Sequence, residues 1–264
     1  MTAASPHLTR RAALLLLGSG AASACVAGRI GAGPISLAEI VRRNTLARGG
    51  AAALDRVKAI AVDIEIIEGG QTLSGHYAAN TDGLVRIDIY AGGENVYAEG
   101  VDRSGVWRWT GSGAAEPSKA TGAANALTNG AENHLFGWHR FSERDHKLAL
   151  MPPSTIDGIT YEVVEVRYST GHVSYFYIDP TSWLAVRRRD ERAYHPDLDQ
   201  TKKRVESRFF DFVQSDGLVT SRRSVDINLA DGSVLSTNRT LARRINPQLS
   251  ANYFDRNRRA SPTW

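Results

Sequence analysis

Three of the seven histidines, His134, His139 and His146, share one short window with Glu143 and Asp145. Imidazole and carboxylate together can ligate zinc or relay a proton. The spacing argues against it, because His134 and His139 stand five apart and i, i+4 is what brings two ligands onto one helical face. The window therefore reads as a solvated interfacial segment, and no metal or other cofactor is expected. Asp197 and Asp199 read as a solvated loop, and Arg187, Arg188 and Arg189 alternate across a strand as a solvated face. The chain carries no nucleophile elbow, phosphate-binding loop, dinucleotide fingerprint or zinc-protease helix motif. No catalytic residue is nominated and an enzyme is not expected; a hydrolase stays a third alternative.

The single cysteine, Cys25, directly follows Ala22-Ser23-Ala24. This stretch is similar to a bacterial lipobox, in which the thiol takes a diacylglycerol and becomes the mature N-terminus, with Ala22 standing where leucine is usual. The alternative is ordinary cleavage at the same Ala-x-Ala site, leaving a free thiol. Upstream, Thr9-Arg10-Arg11 is charged, Ala12 to Leu17 is a short apolar core, and Gly18 to Ala24 is small. That order is a secretory signal too short to span a membrane, and the arginine pair is similar to a twin-arginine signal. Residues 1–24 are thus expected to be an export signal and 25–34 a linker. The protein is placed in the periplasm or cell envelope, and acylation of Cys25 would anchor it to a membrane.

These residues need a scaffold, and composition bounds it. The 264 residues are 42% apolar and 23% charged, enough for one sizeable core. Loss of residues 1–24 lowers the formal charge from +4 to +2, which gives no reason to expect nucleic acid. One cysteine excludes a disulfide framework.

Ser36 and Glu39 have capping-box spacing ahead of Leu37, Ile40 and Val41, and Arg48-Gly49-Gly50 supplies a stop. A shorter helix follows over 51–57, burying Leu54 and Val57. From Ala59 the period becomes two: Ile60, Val62, Ile64 and Ile66 alternate with Ala61, Asp63 and Glu65. Strands are next expected at 72–79, 85–90, 94–101 and 106–110. Residues 111–133 are small and polar, with helix expected near 123–141. Strands resume at 146–151, 160–168, 172–178, 183–194, 205–214, 218–229 and 234–246, with a polar loop over 195–204. About eleven regularly spaced strands without strand–helix alternation predict a mainly β protein, a single curved antiparallel sheet covered by helices. The half-barrel domain is expected to span 35–254, with 255–264 a polar, disordered tail.

The aromatic residues are the more informative candidates. Trp107 and Trp109 share one face of a strand, and Leu135, Phe136, Trp138 and Phe141 form an apolar knot after the small-residue stretch. They read either as plain core or as a movable cover over an apolar cavity. In the second case Val62, Ile64, Ile66, Ile87 and Ile89 would line the cavity with them.

Glu39-Ile40-Val41, Ala47-Arg48-Gly49-Gly50 and Leu54 to Ile60 resemble the N-terminal helices and first strand of the outer-membrane lipoprotein-sorting (LolA/LolB-like) superfamily. Val101-Asp102-Arg103-Ser104-Gly105-Val106-Trp107 is similar to its Asp-Gly…Trp hairpin, with Arg103 where glycine is common. Tyr177-Ile178-Asp179-Pro180-Thr181 resembles its Tyr-x-Asp-Pro-x-Thr turn, with Ser182 where the final threonine would stand. Phe210-Asp211-Phe212 with Asp216-Gly217-Leu218, and Ile245-Asn246-Pro247 through Phe254, resemble its late strands and close. The resemblance implies an incomplete barrel of about eleven strands plugged by helices. It also implies an apolar concavity for the acyl chains of lipids or lipoproteins, hence a carrier or acceptor in lipoprotein transport to the outer membrane. The alternative is a non-transporting envelope sensor or a module that docks an envelope protein partner.

Overall fold

The computed structural model describes residues 35–120 and 122–258. Cys25, the export signal expected over 1–24 and the linker expected over 25–34 lie outside the described residues.

Helix α1 (Leu37–Ala47) starts where the Ser36 hydroxyl accepts the Glu39 amide N–H at 3.2 Å. Only half of a capping box forms, because the Glu39 carboxylate turns to the guanidiniums of Arg42 and Arg43 at 2.7 and 2.6 Å. Gly49 then takes φ +117°, and a Cβ there would stand 2.0 Å from the Gly217 carbonyl oxygen, so only glycine fits. Helix α2 (Ala51–Asp55) follows and buries Leu54.

The strands form one antiparallel sheet. In chain order they are β1 (Ala59–Glu68), β2 (Gln71–Asn80), β3 (Val85–Ala91), β4 (Glu94–Asp102), β5 (Gly105–Trp109) and the short β6 (Glu116–Pro117). Helix α3 (Ala123–Leu135) and a 3₁₀ segment (Trp138–Arg144) intervene. Then come β7 (Lys147–Ile156), β8 (Ile159–Arg167), β9 (Val173–Ile178), β10 (Ala185–His195), β11 (Asp199–Ser215), β12 (Leu218–Asn228) and β13 (Val234–Ile245). The spatial order is β6-β5-β4-β3-β2-β1-β13-β12-β11-β10-β9-β8-β7. Pairing of β1 with β13 joins the two halves, while β6 and β7 remain as edges, so the curved sheet does not close.

Among the described residues thirteen strands stand where about eleven were expected. The stretch 195–204, expected to be a loop, is largely strand: Lys202, Lys203 and Arg204 pair with Ala193, Arg192 and Glu191. Backbone ladder bonds hold this hairpin, and they need no apolar side chain. Strand β7 continues past Met151 through Pro152 and Pro153 at a bulge, which an edge strand tolerates. The tail expected to be disordered from 255 is packed as far as Arg258. The Arg256 guanidinium donates to both Asp102 oxygens at 2.8 Å, and Arg86 donates to the Asp255 and Arg258 carbonyls at 2.9 and 3.0 Å.

Helices cover one face of the sheet in two places. Ile60 and Val62 of β1, Ala79 of β2 and Val85 of β3 pack against Leu54 and against Leu127, Ala131 and Leu135 of α3. At the other end Ile40 of α1, with Trp138 and Phe141, packs on Val164 and Val166 of β8 and Phe176 and Ile178 of β9. Each fully buried side chain of this size contributes roughly 1.5–3 kcal/mol. The opposite face is covered near β2 by Tyr253 and Phe254 from the C-terminal segment.

Candidate ligand cavity

Between the two helix-covered clusters lies a cavity of about 690 Å³, within the size range of small-molecule sites. Helix α3 presents two stripes at i, i+4 spacing. Ala123, Leu127, Ala131 and Leu135 form a buried apolar stripe, and Asn125, the buried Asn129 and Asn133 border the cavity. The Asn133 amide donates to the Tyr168 hydroxyl at 2.6 Å, and the Thr170 hydroxyl donates to Asn129 at 3.1 Å.

Strand alternation makes β10 the facing wall, with Arg188, Asp190, Arg192 and Tyr194 all turned inward. Arg188 lies 3.2 Å from Asp190, and Arg192 pairs with Asp190 and with Asp226 at 3.4 Å. The Tyr194 hydroxyl lies 3.1 Å from Asp226 and 2.6 Å from Ser236. Burial by itself would raise the Asp190 pKa, but Arg188, His172 and Arg192 outweigh it and hold the carboxylate below its ordinary range. Two guanidiniums thus meet two carboxylates, and this wall is polar but charge-balanced.

The helix-bearing face also carries a group with no such balance. Arg243 of β13 and Tyr77 of β2 both stand opposite Val62 of the intervening β1, so the three share one face. The Tyr77 ring lies 5.5 Å from that of His134 in the last turn of α3. Arg48 donates to the carbonyls of Asn133 and Phe136 at 3.2 Å each, satisfying acceptors that the end of α3 leaves open. The Tyr77 hydroxyl and the Arg243 Nε are shielded from water without a hydrogen-bond partner. Withdrawal from water pushes the Tyr77 pKa up and the Arg243 pKa down; it pushes Arg48 down to about 10, with the charge of Arg243 adding to the effect. The His134 pKa is lowered, by desolvation first and then by Arg243, Arg48 and Arg188, although the residue as a whole stays exposed at the end of α3.

The residues nominated from sequence fall into three places. Val62, Ile64, Ile87, Leu135 and Phe136 belong to the cluster under α3, and Ile66 and Ile89 continue its strand faces in β1 and β3. Trp138 and Phe141 belong to the second cluster. Trp107 and Trp109 stand on the opposite face: Trp107 shares a register row with Gly100 and Arg86, whose guanidinium lies 5.1 Å from its ring. None of them lines the 690 Å³ cavity; Trp107 and Trp109 border a separate hollow of about 490 Å³.

The histidine window is dispersed. His134 meets Tyr77, His139 lies between Asp55 at 3.0 Å and Thr45 at 3.5 Å, and His146 lies 3.2 Å from Glu132. The three neighbouring arginines do not form the solvated face expected of them. Arg188 turns into the cavity while Arg187 and Arg189 bind Glu206, which is fully buried on β11. Arg243 escaped notice because a bulge at Leu241 breaks the alternation of β13: Leu241 is exposed, while Arg243 lies on the inward face in register with Ile245. The available signal was its spacing of two from Ile245, an inward residue of the same strand.

No protein-family model and no curated protein matches the sequence. Solved structures do share its architecture. A LolA superfamily protein from Nitrosomonas europaea is 12% identical at TM-score 0.53, over 83% of this chain and 98% of that one. A DUF1329 family protein from Desulfovibrio piger is 13% identical at TM-score 0.51, over 82% and 95%. A domain assigned to outer-membrane lipoprotein sorting from Vibrio parahaemolyticus is 10% identical at TM-score 0.51, over 83% and 96%. The chain is therefore similar in fold to LolA superfamily proteins, as the sequence resemblance implied. At these identities the likeness is one of fold. No helix among the described residues is long and apolar enough to cross a membrane.

Proposed function

We propose that this protein is an envelope binding protein that holds an acyl chain of a lipid or lipid-modified protein under α3, as a carrier or acceptor. The construction of α3 carries the reading. Its buried stripe has two leucines and two alanines, and its other stripe already faces the cavity. A cover held by so few apolar side chains can separate from β1 and β3 at modest cost, and an entering chain replaces the contacts it loses. Burial of an acyl chain contributes roughly 0.8 kcal/mol per CH₂, which needs no catalytic group. The polar β10 wall favours a second reading, in which the same fold docks a polar segment of a partner protein and takes no chain.

Native mass spectrometry of the protein purified with its N-terminal segment tests both. A co-purifying lipid, with saturable binding of a fluorescent acyl probe that Ile87→Asp abolishes, supports the first. No lipid, no saturable probe binding and no effect of Ile87→Asp would sink it. A diacylglyceryl mass on Cys25 would establish membrane anchoring and favour an acceptor.

A further inference from the structure

Among the described residues Arg243 makes no hydrogen bond and no ion pair, although its Nε is out of contact with water. Its neighbour in charge, Arg48, is held only by two backbone carbonyls. The rest of the half-buried guanidinium reaches water, but a charged N–H held from water without an acceptor is destabilising and leaves a place for a partner. Everything else directed at the same space can donate. The Tyr77 hydroxyl is shielded and unpartnered. His134, exposed at the end of α3, makes no hydrogen bond, and its ring carries at least one N–H in either protonation state. The acids on the inward face of β10 and β12, Asp190 and Asp226, are already engaged by Arg188 and Arg192. Two cations and two further donors, with no unengaged acid beside them on the inward face among the described residues, are the complement of an oxyanion. A phosphate, with up to two negative charges and several acceptor oxygens, matches that set better than a single carboxylate.

We infer that Arg243, with Arg48, Tyr77 and His134, receives the phosphate of an amphipathic ligand whose chains lie over Val62 and Ile87 beneath α3. This rests on the acyl-chain reading and adds the head-group chemistry to it. Val62 lies directly between Arg243 and Tyr77 in the sheet, so the aliphatic floor and the cationic group are contiguous.

Calorimetric binding of three probes separates the two parts: dioctanoylglycerol phosphate, phosphate-free dioctanoylglycerol, and glycerol phosphate. Each is titrated into the intact protein and into its Arg243→Gln and Arg243→Lys variants. The expected result is that the phospholipid binds at least about tenfold more tightly than dioctanoylglycerol, about 1.4 kcal/mol. Arg243→Gln should erase that difference, Arg243→Lys should restore part of it, and neither should lower the melting temperature. Equal binding of both lipids, unchanged in Arg243→Gln, overturns the phosphate site and leaves the acyl-chain reading standing. Arg243-dependent binding of glycerol phosphate with no binding of either lipid supports the phosphate site and overturns the acyl-chain reading. Absence of binding by all three overturns both. A fall in melting temperature in both variants overturns the premise that Arg243 lacks a partner.

Discussion

Arg48→Gln tests whether α3 is a separable cover. The side chain makes two charge-assisted hydrogen bonds, each 3.2 Å long, to the carbonyls that end α3. Bonds of this kind contribute roughly 1.5–3 kcal/mol each when well formed. These are at the long end of the range, Arg48 is only half-buried, and its removal also relieves repulsion from Arg243. A local loss of about 1–2 kcal/mol follows, a factor of roughly 5–30 in the open population of α3. Amide hydrogen exchange should therefore quicken by that factor over 123–136 and stay unchanged in β1 and β13. An acyl probe should also bind and leave faster. Exchange in α3 raised less than about twofold, or raised equally across the sheet, would refute the latch.

Glu206→Gln should cost about 3 kcal/mol in a urea melt, the low end for breaking a buried ion pair because Arg187, Arg189 and Arg208 all reach water. Burial alone would raise the Glu206 pKa, yet hydrogen bonds from Arg208 and Arg189 bring it below its ordinary value of 4.5. A lowered folded pKa contributes stability above 4.5 that is lost as pH falls below it, so Glu206→Gln should flatten the acid side of the stability curve. Trp107→Ala removes a fully buried ring from the face away from α3 and should cost about 3–5 kcal/mol. The affinity of the remaining folded protein for an acyl probe should not change; weaker binding with stability intact would place Trp107 at the ligand.

The N-terminal helices and most strands were legible because their causes are local. Ser36 caps α1, Gly49 admits a backbone conformation that other residues resist, and Ile60, Val62, Ile64 and Ile66 repeat with period two. Period two separates the faces of a strand without saying which face is covered. Trp107 and Ile87 therefore looked alike in sequence, although α3 covers one and the C-terminal segment lies on the other's side. The 195–204 hairpin was hidden for a related reason: backbone pairing, not side-chain pattern, makes it a strand.

By itself the sequence determined the local elements, the antiparallel class and the resemblance to the LolA/LolB-like superfamily. The tertiary structure alone decided that the cavity is polar and that, elsewhere on the same face, a cation with no side-chain partner among the described residues stands beside the aliphatic row of Val62. Arg243 and Tyr77 are 166 positions apart in the chain and flank Val62 only because β13 and β2 both pair with β1 in that register. Long-range register of that kind follows from packing the whole sheet, and a local pattern carries no record of it.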